Sequence, residues 1–253
     1  MKIIISPAKK LASHRVNNSI EYSFPLLLSK SSQLVKLLKS YSSDQLGELM
    51  GISESLSELN FSRYKEWNVP FHINNSQPAI FAFKGDVYEG MDPESFSDLQ
   101  LSIAQKRIRI LSGLYGLLRP MDLMMDYRLE MGTKIKIGDA NNLYDFWGST
   151  ISDTLKNDMG EGETLLNLAS EEYSKAAQLH SFSNTVVTPV FLDFKNGRYK
   201  VISFFAKKAR GYMCRYIIKN DIKSHNDLLS FDIEGYRYSD EYSKDNKPAF
   251  IRN

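Results

Sequence analysis

The sequence predicts a mixed α/β (α+β) protein in which a central sheet is surrounded by helices. Short apolar runs typical of buried strands occur at several places, and between them lie segments whose apolar residues recur at helical spacing. In addition, 42% of the 253 residues are hydrophobic and 12% are aromatic, which is ample for a buried core. A chain of this length forms one large domain or two small ones.

The charge and the cysteine content limit which classes of protein the sequence fits. Lys and Arg number 32 and Asp and Glu 30, so attraction to polyanions must come from the distribution of charge. The single Cys214 excludes an internal disulfide, and the four histidines, His14 among them, share no metal-ligand spacing. We therefore predict no metal site and no organic cofactor. The first apolar run is too short for a signal peptide, and no run reaches 18 residues, so we expect a cytoplasmic protein without membrane contact.

The chain is predicted to begin with a buried strand over Lys2–Ile5, which Ser6 and Pro7 end because proline lacks an amide donor. Lys9 and Lys10 follow at the carboxyl end of this strand, where open α/β sheets usually place ligand-binding groups. Lys9 is therefore a candidate anion-binding residue. The alternative is that both lysines are simply solvated.

Three helices are predicted next. Apolar residues at helical spacing indicate a helix over 30–41. The pattern Ser42-x-x-Gln45 is a capping box that begins a second helix through Met50, and a third helix is expected to end near Trp67.

The turn between the second and third helices resembles that of a helix-hairpin-helix element covering about 43–67. Free amides in the first turn of the following helix, together with the helix dipole, form an anion site that needs no side-chain charge. We take Gly51, Ile52, Ser53 and Arg63 as candidate DNA-binding residues. The alternative is an ordinary helical hairpin whose glycine caps a helix.

The run AIFAF predicts a strand over 77–83, and a glycine-bearing loop is expected over 84–90. This loop matches no nucleotide-binding fingerprint. Lys84 and Asp86 are candidates for substrate binding, although a local turn pair is the favoured explanation.

A helix and a strand are then predicted. Asp92, followed by proline, supplies the N-cap of a helix that runs through Arg107, and 108–115 reads as a strand. Gly113 and Gly116 indicate a bulge or a close approach of the backbone to another segment.

Charged residues interrupt the otherwise apolar stretch 108–132, and four of them are singled out here: Arg119, Asp122, Arg128 and Glu130. Guanidinium groups present a planar fork of donors that suits phosphate or carboxylate, so the two arginines are candidates for binding an anion. Glu130 is grouped with them as a cleft residue. A purely structural network of arginines and carboxylates is the alternative.

The second half of the chain carries similar signals. Ser170, followed by two glutamates, is a plausible helix start, and no GxSxG motif supports it as a nucleophile. The Asn196-Gly197 pair predicts a hairpin between two strands. The elements expected here are a helix over 142–155 and strands over 164–168, 186–194 and 198–205.

A basic segment follows the hairpin. The stretch 198–219 contains seven Lys or Arg residues and no acid, and its second part has helical spacing. A concentration of positive charge favours phosphate, so we take Lys207, Lys208, Arg210 and Arg215 as candidate DNA-binding residues. A solvated amphipathic helix is the alternative.

Together these motifs resemble the YaaA family of bacterial peroxide-stress proteins, over nearly the whole chain. The matching segments are SPAKKL at 6–11, FKGDVYEG at 83–90, RILSGLYGLLRPMDLMMDYRLEMG at 109–132, FWG at 146–148, NLAS at 167–170 and SFFAKKARGYMCRYII at 203–218. The resemblance implies a single domain over 1–253 with the cantaloupe fold. It also implies a positively charged cleft, a helix-hairpin-helix that binds duplex or branched DNA, and a role in limiting damage from peroxide and intracellular iron.

Two functional hypotheses follow. The first is a DNA-binding protein of the peroxide-stress response, without a cofactor. The second is an enzyme acting on a nucleotide, nucleobase or nucleic acid, in which Glu130 is a candidate acid or base; no recognisable catalytic motif supports it. A confined cavity would favour the second, and a shallow groove long enough for a duplex would favour the first. An iron-handling protein has little support, because His, Cys and carboxylate residues do not cluster.

Overall fold

The structure is a computed structural model that describes residues 1–12 and 21–253. His14 lies outside these residues. The predicted mixed α/β class is confirmed.

Strands and helices alternate along most of the chain. The strands are β1 (Lys2–Ile5), β2 (Lys10–Leu11), β3 (Gln77–Pro78), β4 (Phe83–Lys84), β5 (Ile108–Ser112), β6 (Gly116–Leu118), β7 (Leu123–Met124), β8 (Leu165–Leu168), β9 (Val186–Val187), β10 (Val190–Lys195), β11 (Arg198–Lys200), β12 (Arg237–Lys244) and β13 (Lys247–Arg252). The α-helices are α1 (Leu28–Leu38), α2 (Ser43–Met50), α3 (Glu54–Glu66), α4 (Ala79–Ala82), α5 (Asp86–Met91), α6 (Asp98–Arg107), α7 (Leu143–Trp147), α8 (Thr150–Asn157), α9 (Glu171–Ala176) and α10 (Ser203–Lys219). Short 3₁₀-helices cover Pro93–Ser95, Leu179–Ser181, Asn226–Ser230 and Ile233–Gly235.

The larger sheet has five strands in the order β6-β5-β1-β8-β9. The predicted first strand, β1, lies at its centre and runs parallel to both neighbours, with Ile3 opposite Ile108 on one side and Leu166 on the other. Every residue of β5 and β8 is buried. Parallel strands covered on both faces read as continuous apolar runs, which is why the sequence identified them.

The second sheet has the order β11-β10-β13-β12. The predicted Asn-Gly hairpin joins β10 and β11, with positive φ at Asn196 and Gly197. The strand expected over 198–205 is shorter than predicted, since it ends at Lys200 and α10 begins at Ser203. The polar segment after α10 closes this sheet, because β12 pairs with β13.

Two predictions around residue 80 were wrong. The strand expected over 77–83 is divided by the helical turn α4, whose residues are all buried. A short apolar run does not distinguish a buried strand from a buried turn of helix. The loop expected over 84–90 is largely the helix α5, which begins after Gly85. The helix expected from Asp92 begins instead at Asp98.

Capping and glycine geometry explain several other boundaries. The predicted Ser42 capping box of α2 is present, and a second capping box at Ser97 begins α6. The helix expected over 142–155 is two helices, because the chain turns at Gly148 with φ 50°. The predicted close approach at Gly113 is confirmed, since a Cβ atom there would lie 2.2 Å from the Leu129 carbonyl oxygen.

Buried apolar side chains of the described residues form one continuous cluster that includes β1, β5, β8 and the inner face of α10. Within residues 1–12 and 21–253, no helix is both long and apolar enough to cross a bilayer. The same residues contain no group of three or more His, Cys, Asp or Glu side chains placed to hold a metal ion.

Candidate anion-binding cavity

A cavity of about 470 Å³ opens where β1 and β8 end, at the carboxyl edge of the larger sheet. The two strand ends are joined directly, because the Ser170 amide donates to Ser6 Oγ over 2.9 Å. Within this sheet, the next strand after β1 along the chain is β5, which lies on one side of β1. The next strand after β8 is β9, which lies on the opposite side, so the direction of strand addition reverses between β1 and β8. Such a topological switch point is where open α/β sheets bind ligands.

Charged residues from distant parts of the sequence line this cavity. Those that the sequence analysis singled out are Lys9, Lys84, Asp86, Arg128, Glu130, Lys207 and Arg210. Lys10 adds a basic side chain and Glu172 an acidic one. Among the described residues the lining therefore has six basic and three acidic side chains, a surplus of three positive charges.

A contact between two helices brings the basic part of α10 to the cavity. A Cβ atom at Gly90 in α5 would lie 2.2 Å from the Lys208 carbonyl oxygen, and one at Gly211 in α10 would lie 2.0 Å from the Val87 carbonyl oxygen. Only glycine fits at such a distance. The contact places Asp86, the first residue of α5, beside the same cavity as Lys207 and Arg210 of α10.

Part of the positive charge is neutralised by ion pairs. Lys9 Nζ lies 2.7 Å from one oxygen of Glu130, and Arg128 Nη2 lies 3.0 Å from the other. Lys84 Nζ lies 2.5 Å from Glu94. The Glu130 carboxylate thus pairs with both Lys9 and Arg128, and these three side chains together keep one net positive charge.

Arg210 is not neutralised by any residue that the structure describes, because it has neither a hydrogen bond nor an ion pair among them. Burial lowers the pKa of its guanidinium from the ordinary value. Arg128 Nε is also buried and has no hydrogen-bond partner among the described residues. The exposed Lys10 and Lys207 likewise lack ion pairs within the described part of the chain. The cavity therefore presents cations that an anion is able to satisfy.

Three tyrosines on the cavity wall were missed by the sequence analysis. Tyr88 donates to the Ser6 carbonyl over 3.1 Å, and the hydroxyl of Tyr127 lies 2.6 Å from that of Ser112. Tyr173 completes the wall. Burial raises the pKa of all three hydroxyls, so they stay protonated at neutral pH. Tyrosines are common in cores, and no spacing in the sequence distinguishes these from the others.

Ser6, Ser170 and Glu172 were not identified as site residues either. A signal for the two serines exists in the sequence, because Ser6 directly follows the buried strand β1 and Ser170 lies two residues after the end of the buried strand β8. If both strands are parallel, their carboxyl ends meet.

Arg119 lies apart from this cavity. Its Nε and Nη2 donate to Asp122 Oδ1 over 3.1 and 2.8 Å, and Nη2 also donates to the Phe24 carbonyl. Asp122 is fully buried and also accepts from Ser23 over 2.6 Å. Burial raises the pKa of the Asp122 carboxyl, although the hydrogen bonds oppose this. Arg119 and Asp122 thus form the structural ion pair that the sequence analysis left open.

Three other candidate cations are not among the side chains that line the cavity. Lys208 follows Lys207 but is absent from the lining, and Arg215 lies 3.9 Å from Asp92. Arg63 pairs with Asp126 over 3.3 Å and lines a separate cavity of about 360 Å³.

The turn between α2 and α3 has the backbone geometry of a helical hairpin. Gly51 has φ 60°, Ile52 follows, and Ser53 is the N-cap of α3. The sequence contains no Lys or Arg between Lys39 and Arg63. The exposed charged residues near the turn are instead acidic: Asp44, Glu48, Glu54 and Glu58. These acids oppose the attraction of the α3 amides for phosphate.

The fold and the cavity define a class of protein: a mixed α/β protein with a basic, tyrosine-walled cavity at the switch point of a largely parallel sheet. A family model described as "Peroxide stress protein YaaA" matches residues 1–242. The chain belongs to this family.

Curated relatives match the chain over its whole length. A UPF0246 protein of Marinomonas sp. (strain MWYL1) is 48% identical over 252 residues, covering 100% of this chain and 97% of the relative. UPF0246 proteins of Colwellia psychrerythraea and Alcanivorax borkumensis are 47% and 48% identical over 254 residues, covering 100% of this chain and 99% and 98% of the relatives.

Proposed function

We propose that this protein is a cytoplasmic DNA-binding protein of the peroxide-stress response, which limits damage from peroxide and intracellular iron. The observation that carries the proposal is the convergence of Lys9, Lys10, Lys84, Arg128, Lys207 and Arg210 on one cavity, where they outnumber acids by six to three among the described residues. Phosphate contacts of this kind supply most of the affinity of proteins for DNA. Membership of the family of peroxide stress protein YaaA supports a role in the stress response.

The proposal includes the cantaloupe fold, as a single domain over 1–253, and a helix-hairpin-helix element at about 43–67. One continuous core cluster and the α2–Gly51–α3 geometry support these two points. Because the hairpin is acidic, its contribution to duplex or branched DNA binding is secondary to that of the cavity.

The test is binding of labelled duplex and junction DNA between about 50 and 200 mM salt. Affinity is expected to fall steeply as salt rises. Lys207→Gln should reduce the slope of log K against log salt by about 0.9, whereas the matched variant Lys208→Gln, one residue along α10, should leave it nearly unchanged. Affinity that does not depend on salt, or equal effects of the two variants, would contradict the proposal.

The hairpin is tested separately. If its amides contact phosphate, removing an acid there by Glu54→Gln or Glu58→Gln should raise the affinity for DNA, while Asp240→Asn on the second sheet should not. Unchanged affinity in both hairpin variants would exclude 43–67 from the interface and leave the role of the cavity intact.

A second candidate function is an enzyme that acts on a nucleotide-like ligand. The specific observation in its favour is that the cavity is confined, lies at a switch point, and holds Glu130 between Lys9 and Arg128. Incubation with nucleotides and oligonucleotides, followed by mass spectrometry, should then give a product that Glu130→Gln abolishes. Recovery of every substrate unchanged would reject this candidate.

A further inference from the structure

The cationic side chains that line the cavity include two kinds, which differ in their exposure to solvent. We call Arg128 and Arg210 the inner arginines, since the Arg128 side chain is only 17% exposed and burial lowers the pKa of Arg210. We call Lys9, Lys10 and Lys207 the rim lysines, because all three are exposed and the Lys9 side chain is 64% exposed. A ligand that only crosses the opening meets the rim lysines, whereas a ligand that enters meets the inner arginines.

The inner arginines are incompletely satisfied. Arg128 shares the Glu130 carboxylate with Lys9, and its Nε is buried without a hydrogen-bond partner in the described part of the chain. Arg210 has no hydrogen bond or ion pair among the residues that the structure describes. Partly buried guanidinium groups without partners are unfavourable unless an anion enters, and their planar donors suit phosphate or carboxylate.

The cavity suits a small ligand, and a duplex is able only to lie across its opening. The volume lies within the range of about 300–1,000 Å³ that is usual for small-ligand sites. The group that reaches the inner arginines must therefore be small or must project from a strand.

The wall suits the remainder of a nucleotide. Tyr88 and Tyr127 line the cavity and engage their hydroxyls with Ser6 and Ser112, so neither hydroxyl is a free donor to a ligand. Aromatic rings pack against sugars and stack on bases without regard to sequence.

We propose that the inner arginines bind a phosphomonoester, either the terminal phosphate of a DNA strand or the phosphate of a free nucleotide. An internal phosphodiester carries one negative charge, whereas a monoester carries between about 1.5 and 2 at pH 7, which matches two guanidinium groups better. This inference rests on the proposed function, since it names the part of a nucleic acid that enters the cavity. Internal phosphates of a duplex contact only the rim lysines.

The first experiment uses deoxyadenosine 5′-monophosphate, deoxyadenosine and inorganic phosphate as probes in isothermal titration calorimetry on the full chain. The monophosphate is expected to bind, inorganic phosphate to bind more weakly, and deoxyadenosine not to bind. Arg210→Gln should weaken binding of the monophosphate by about tenfold or more. Its matched control, Arg215→Gln, lies on the same helix outside the cavity and should change binding by less than about twofold.

The second experiment separates the two sources of the phosphate. Linear duplex with 5′-phosphate ends is compared with the same duplex with 5′-hydroxyl ends and with a closed circular duplex. If strand ends are the source, phosphorylated ends bind more tightly, and the monophosphate displaces them but not the circle. If free nucleotides are the source, the monophosphate binds while all three DNAs bind equally.

The inference is overturned if neither the monophosphate nor inorganic phosphate binds at up to about 1 mM and the three DNAs also bind equally. It is also overturned if Arg210→Gln folds and binds the monophosphate like the wild type. The comparison of phosphorylated, hydroxyl and circular DNA uses the wild type alone, so it decides the question even if the variant fails to fold. The proposed function is tested independently. It is wrong if the protein does not bind the closed circular duplex, or binds it with an affinity that does not depend on salt.

Discussion

The contact between α5 and α10 gives a sharp prediction about stability. In Gly211→Ala, the new Cβ atom would lie 2.0 Å from the Val87 carbonyl oxygen, roughly 1.4 Å closer than the 3.4 Å at which ordinary contact begins. Overpacking on this scale costs about 3 kcal/mol, and the better helix propensity of alanine returns about 1 kcal/mol. We therefore expect the free energy of unfolding to fall by about 2 kcal/mol and Tm to fall by about 4–8 °C.

Urea denaturation and thermal melting measure this change. Gly90→Ala should behave like Gly211→Ala, because its Cβ would lie 2.2 Å from the Lys208 carbonyl oxygen. Gly47→Ala is the control, since the nearest atom to its Cβ in α2 would be in the Ser57 side chain, at 3.3 Å, and the nearest backbone atom would be the Ile52 carbonyl oxygen, at 3.7 Å. Its stability should change by less than about 1 kcal/mol. Variants at 90 and 211 that are as stable as the wild type would refute the reasoning, because the helices would then not depend on glycine to approach.

Further predictions concern one buried ion pair and the only cysteine. Asp193 is buried and accepts a hydrogen bond from Arg252 Nε over 2.7 Å. Asp193→Ala should therefore lower the free energy of unfolding, measured by urea denaturation, by about 3 kcal/mol. Lys223→Ala, in an exposed pair, should change it by less than about 0.5 kcal/mol. Burial raises the pKa of the Cys214 thiol to about 12, so a thiol reagent at pH 8 should label it only on unfolding. Rapid labelling of the native protein would contradict the last prediction.

The sequence predicts elements best where local signals and burial agree. β1 and β8 are continuous apolar runs, and α2 has its capping box, so each was identified with nearly correct ends. α5 was missed because the two glycines in 84–90 indicate a loop, whereas the helix depends on packing against α10. No local pattern contains the contact between Gly90 and Gly211.

The candidate site shows the same limit. Arg119 and Arg128 stand nine positions apart in one apolar stretch and looked equivalent, yet only Arg128 lines the cavity. Arg119 instead donates to Asp122, three residues later. The turn between them brings the two side chains together, and composition alone does not reveal this contact. The meeting of Lys9, Arg128 and Arg210 depends on strand order and on the helix contact, neither of which a single sequence states.

The central position of β1 also matters for how the chain is made. Its partners at Ile108 and Leu166 leave the ribosome about 100 and 160 residues after Ile3, a delay of roughly 5–30 s at ordinary rates of synthesis. During that time the isoleucine triplet that is fully buried in the finished protein has no neighbouring strands. β1 thus gains its second neighbouring strand only after β8 has been made, and nascent chains that stop before β8 expose a strand prone to self-association.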